Sequence, residues 1–143
     1  MRLVAFSLGL AVMAPVFAGE ADTVTASGAW VREVPPGADM TAVFVQLDNA
    51  AEKPAVVIAA ESPAAGSVEL HGHSHEHGVI QMRPVERLSI PAKGKVALAP
   101  GGLHLMVFEL KTKLVVGGEF PVLLKFEDGS TLTLKANVRS ATE

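Results

Sequence analysis

An all-β domain, folded as an antiparallel sandwich or barrel, is what this sequence predicts. Short segments rich in Val, Leu, Thr and Phe recur along the chain. Clusters of Gly and Pro interrupt them at close intervals, and no long amphipathic helix can be drawn after residue 18. The chain shows no internal repeat and no linker-like shift in composition, so a single domain is expected.

The first 18 residues read as a leader. Arg2 supplies a positive charge, Leu3 to Val12 form an apolar block, and Val16-Phe17-Ala18 offers a small-residue cleavage site. The block falls short of the about 20 residues needed to cross a bilayer, and no second run of that length follows, so stable membrane insertion is not expected. Residues 1–18 are thus expected to be a signal peptide and residues 19–143 the folded domain, long enough to enclose a core. The formal charge of −3 becomes −4 without Arg2, and neither a basic stripe nor a long charge run is present. Nucleic acid is therefore not an expected partner. The sequence has no cysteine. In an oxidising compartment disulfides and thiol-attached lipid are then not expected, and a soluble periplasmic protein is.

Thr23 to Val34 is rich in β-formers and stops at Pro35-Pro36-Gly37; Trp30, the only tryptophan, is expected to anchor the core. Met40 to Leu47 has apolar residues on both faces, as an inner strand would, and Asp48-Asn49 supplies turn chemistry after it. Pro54 opens a short strand, Ala55 to Ala60, and Ser62 to Gly66 reads as a loop or one helical turn. Leu88 to Pro91 and Lys95 to Leu98 are short strands on either side of Ala92-Lys93-Gly94. Phe120 to Phe126 and Thr131 to Val138 flank Asp128-Gly129, a strong hairpin signal, and the tail past Arg139 is expected to be loose.

All five histidines, and the two methionines beyond Met40, fall between His71 and Met106. Val68 to His73 and Gly78 to Met82 are expected to pair as a hairpin around Glu76-His77-Gly78, with Gly78 at positive φ. With Glu76 and His77 at the centre of the turn, His71 faces Met82 directly across the ladder. After the sharp turn at Pro100-Gly101-Gly102, the strand Leu103 to Leu110 points His104, Met106 and Phe108 to one face. A methionine on a strand is usually core filler. The combination of a His-Met pair on one strand face with a His-Met pair across a hairpin makes His71, Met82, His104 and Met106 a candidate metal site. Two imidazoles and two thioethers form a soft, uncharged donor set that suits Cu(I) better than Zn(II) and needs no oxidisable thiolate.

The alternation His71, His73, His75, His77 adds an auxiliary candidate. His73, His75 and His77 offer ligands for Cu(II), Zn(II) or Ni(II); the alternative is a solvated polar turn. Glu61, Glu69, Glu76 and Glu86 are scattered and read as surface charges. Catalysis finds no support, because the chain has no Gly-x-Ser-x-Gly elbow, no phosphate-binding glycine loop, no His-Glu-x-x-His motif and no cysteine nucleophile. An enzyme is not expected. A blue-copper electron-transfer site would also need a cysteine ligand. Three classes remain: a copper carrier, a Cu(II)/Zn(II) buffer built on the histidine run, and a structural or adhesion sandwich.

The spacing His-x10-Met-x21-His-x-Met, at His71, Met82, His104 and Met106, resembles the copper signature of the periplasmic copper chaperones that serve the dinuclear CuA centre of cytochrome c oxidase. Ala29-Trp30-Val31-Arg32 with Pro35-Pro36-Gly37, Val68-Glu69-Leu70-His71, Met82-Arg83-Pro84-Val85, Pro100-Gly101-Gly102 and Phe126-Glu127-Asp128-Gly129 are similar to further segments of that family. The resemblance implies a cupredoxin-like β-barrel that carries Cu(I) on those four ligands. It also implies delivery to an oxidase subunit, with another copper chaperone as a further partner. Relatives often carry further methionine after the first histidine; His73, His75 and His77 stand here instead, which brings Cu(II) or zinc within the expected chemistry.

Overall fold

The computed structural model describes residues 4, 5, 9, 19–76 and 78–141, with the side chains of residues 74–76, 79 and 80 outside the description. The expected leader falls almost wholly outside these residues, as does the end of the tail. A single helical turn, α1 (Glu20–Thr23), is followed by β1 (Val24–Arg32), β2 (Thr41–Asn49), β3 (Ala55–Glu61), β4 (Ala65–Glu76) and β5 (Val79–Pro84). Then come β6 (Leu88–Ile90), β7 (Lys95–Leu98), β8 (His104–Leu110), β9 (Glu119–Phe126) and β10 (Thr131–Arg139).

Seven strands close a barrel in the order β4-β8-β2-β1-β10-β9-β3, and β3 returns to β4 where Ala60 pairs with Val68. The other three are additions to it, β5 on β4, β6 on β3 and β7 on β2. Inward residues of alternate positions, among them Val31, Val43, Leu105, Val107, Phe120 and Phe126, are fully buried and fill the interior. The all-β, single-domain expectation holds. One pairing departs from an antiparallel pattern: β1 runs parallel to β10, with Trp30 opposite Asn137. No loop joins the first strand to the last, so nothing local in the sequence sets their relative sense.

Two element boundaries differ from expectation. Asp48 and Asn49 are the last residues of β2 rather than a turn, and the side chain of Asn49 reaches the carbonyls of Lys53 and Ile90 at 2.8 and 3.2 Å. β4 begins at Ala65, inside the segment expected to be a loop, because Ala65 already pairs with Leu110.

Trp30 does not anchor the core. Between Ser27 and Trp30 the β1–β2 register slips by one residue, and Gly28 takes φ 63 there. A bulge of this kind exchanges the faces of everything beyond it. Val24 points inward before the slip and Val31 after it, which turns Trp30 outward. Its ring lies 4.6 Å from that of Phe44, with the guanidiniums of Arg32 and Arg139 at 5.7 and 5.1 Å.

At the far end of the barrel, α1 is latched to the β9–β10 hairpin. The Glu20 amide donates to the Asp128 carboxylate at 2.7 Å, the Asp128 amide donates to the Glu20 carboxylate at 3.1 Å, and Ser130 donates to Asp128 through both its amide and its hydroxyl. These donors, the Ser130 hydroxyl first, lower the Asp128 pKa to about 2.

Candidate metal centre

β4, β5 and β8 lie side by side, and their outward residues form one surface. Antiparallel register pairs His71 with His104 and Glu69 with Met106 across β4–β8. Across β4–β5 it pairs His73 with Met82 and His71 with Pro84. Directly opposed residues share a face. Glu69, His71, His73, Met82, His104 and Met106 therefore all project from the outside of the barrel.

The expected register of the hairpin is corrected by two residues: Met82 faces His73, not His71. The last pair of the ladder is Glu76–Val79, and Gly78 lies in the turn between them. Gly78, at φ 74, uses there the left-handed conformation that a two-residue hairpin demands, and β-branched Val79 is left to the strand. A shift of two preserves facing, so His71 and Met82 still share the surface, now as diagonal neighbours. His77 and the side chain of His75 lie outside the described residues.

His104 is the middle of the cluster. It is only 5% exposed, and its ring centroid stands 5.9 Å from His71 and 5.7 Å from His73. On its other side Phe44 sits at 6.4 Å, which links the cluster to Trp30 through one intervening ring. The His71 side chain is 12% exposed, whereas Met82 is 50% exposed. One end of the cluster is enclosed and the other opens to solvent.

Hydrogen bonds identify the free nitrogen on each ring. His104 Nδ1 and His73 Nδ1 lie 3.0 and 3.2 Å from the same acceptor, the Gly102 carbonyl. A carbonyl only accepts, so both rings carry their proton on Nδ1 and keep a lone pair on Nε2. The turn that presents this carbonyl is itself held by Gly102 N–H to Ala99 O at 3.0 Å and Ala99 N–H to Leu103 O at 2.9 Å, with Gly101 at φ 84. His71 is the reverse case. Its Nε2 donates to the Glu69 carboxylate at 2.8 Å, and its Nδ1 is buried with no hydrogen-bond partner among the described residues. An orphaned buried lone pair is costly unless something fills it, and a metal ion would.

Glu69, expected to be a surface charge, is half exposed and in addition accepts the His71 hydrogen bond. Its place two residues before His71 on the same strand face was the available signal. The Gly102 carbonyl, being backbone, gave none. Among the described residues no three His, Asp or Glu side chains already converge as a cation site, so carboxylates and imidazoles alone do not complete one. The donor chemistry fits a soft ion held by two imidazoles and supplemented by the thioethers of Met82 and Met106.

Comparison with known proteins bears on the fold and family. The family model described as "Putative lipoprotein LpqE-like" matches residues 24–138. "Putative lipoprotein Lxx21020" of Leifsonia xyli subsp. xyli is 38% identical over 121 residues, 84% of this chain and 72% of that protein. The solution structure of apo-DR1885 from Deinococcus radiodurans is 34% identical, covers 98% of this chain and 94% of that one, and superimposes with a TM-score of 0.65. DR1885 has also been solved in its CuI form, at 38% identity over 78% of this chain and 75% of that one, with a TM-score of 0.64. The copper-bound PCuAC domain from PmoF2 shares the fold, with a TM-score of 0.69 over 90% of this chain and 99% of that one at 22% identity. The chain thus has the cupredoxin-like fold of the PCuAC domains, and it belongs to the LpqE-like family.

Proposed function

We propose that this protein is a copper carrier that holds Cu(I) through His71, Met82, His104 and Met106 and passes it to a copper enzyme. The single observation behind this reading is the buried, unpartnered Nδ1 of His71, on the residue directly opposed to His104. An imidazole lone pair on each of two directly opposed residues, with thioethers on the same face, suits a soft monovalent cation better than a hard ion. Glu69 serves as the carboxylate that fixes the His71 tautomer. The solvent-exposed Met82 gives an incoming ligand from an acceptor a first place to compete.

The relatives solved with copper, DR1885 and the PmoF2 domain, support copper as the cargo. The lipoprotein names borne by the family and by Lxx21020 support work outside the cytoplasm, in keeping with the leader expected at residues 1–18. The acceptor is a cytochrome c oxidase subunit, and a second copper chaperone is a further partner; both follow from the motif resemblance. An alternative reading is a Cu(II)/Zn(II) buffer on the histidine run. Its specific support is His73, whose Nε2 lone pair is held ready by the Gly102 carbonyl.

An anaerobic Cu(I) titration against a chromophoric chelator tests the proposal. The unmutated chain is expected to take one tight equivalent, and the double variant Met82→Leu, Met106→Leu to lose it while keeping its far-UV circular dichroism. Equal Cu(I) binding by both proteins would reject the thioether ligands and favour the buffer.

A further inference from the structure

We infer that the cluster holds copper at two overlapping positions, an enclosed one and an open one, with His104 common to both and His73 the ligand that defines the open one. The inference rests on the proposed function. His73, not His71, stands directly across from Met82. His73 and His104 are tethered to one carbonyl oxygen, so their Nε2 lone pairs extend from a common anchor, with ring centroids 5.7 Å apart. His71 is tethered elsewhere, to Glu69, and its centroid lies 5.9 Å from His104. The two separations are nearly equal, so the His104 ring stands as close to one partner as to the other.

Two donor sets follow. His71 Nδ1, His104 Nε2 and the thioethers of Met106 and Met82 make the enclosed position, the four-ligand set proposed above, where His71 and His104 are 12% and 5% exposed. His73 Nε2, His104 Nε2 and the Met82 thioether make the open one, where Met82 is 50% exposed. Cu(I) passes between them by ligand exchange. The bond to His71 Nδ1 breaks as one to His73 Nε2 forms, the Met106 thioether lets go, and His104 and Met82 stay attached. No electron moves and no proton is released, because each imidazole keeps its proton on the nitrogen already hydrogen-bonded. The route lets a buried site deliver a strongly held ion without first exposing it to water.

Two measurements decide the matter. In long-range ¹H–¹⁵N spectra of the unmutated chain, Cu(I) is expected to move the Nε2 resonances of His73 and His104 together with the Nδ1 resonance of His71. Loaded with Cu(I), His73→Ala is expected to surrender copper to bicinchoninate about tenfold more slowly in stopped flow, about 1.4 kcal/mol on the barrier. An unmoved His73 resonance with an unchanged release rate overturns the open position and leaves the carrier reading standing. A chain that takes up no Cu(I) at all overturns both. Should His73→Ala fail to fold, the spectrum of the unmutated chain decides alone.

Discussion

β8 presents two surfaces with opposite duties. Its inward residues Leu105 and Val107 are 1% and 0% exposed and belong to the barrel core, while its outward residues His104 and Met106 lie on the face proposed to hold copper. The strand's period of two keeps these sets apart even though they alternate along four consecutive residues. On the proposed function, stability and metal binding would sit on separate side chains of one element, and each is expected to change without the other.

The largest expected effect falls on the inward set. Leu105→Ala should lose about 2–5 kcal/mol of stability in urea unfolding, the usual cost of a cavity in a packed core. Per folded molecule its Cu(I) stoichiometry should equal that of the unmutated chain. Folded Leu105→Ala that no longer holds copper would show the two faces to be coupled.

A smaller effect is expected beside the site. Glu69→Ala removes the acceptor that keeps the proton of His71 on Nε2, and should weaken Cu(I) affinity by about 10–100-fold. Because Glu69 is half exposed, its unfolding midpoint should hardly move. A midpoint that falls with affinity unchanged would make the Glu69–His71 pair a packing feature.

The smallest effect is expected at the latch between α1 and the β9–β10 hairpin. The Asp128 carboxyl is depressed from 3.8 to about 2 in the folded chain, so folding favours its ionised form. Its contribution is present above pH 3.8 and is lost as pH falls toward 2. Asp128→Asn should flatten that part of the acid-unfolding profile and leave Cu(I) binding at neutral pH alone. An unchanged acid profile would remove Asp128 from the latch.

Much of this arrangement was legible beforehand. Alternation alone put His104, Met106 and Phe108 on one face of β8, and the barrel class followed from segment length and turn residues. The hairpin register differs from expectation because residues 76–78 admit two turn centres; a shift of two leaves the described side chains on the expected face, so His71 and Met82 still share it. The outward turn of Trp30 depends on a bulge at Gly28, and a strand glycine reads equally as a weak point or a bulge. The parallel β1–β10 pair and the shared Gly102 carbonyl are products of tertiary structure and backbone, which residue type does not encode.

The donor set itself is open to X-ray absorption at the copper edge of the Cu(I)-loaded chain. A mixed shell of two imidazole nitrogens and two thioether sulfurs is expected, with the sulfur contribution lost in the Met82→Leu, Met106→Leu variant. A nitrogen-only shell that is the same in both proteins would contradict the two-histidine, two-methionine centre.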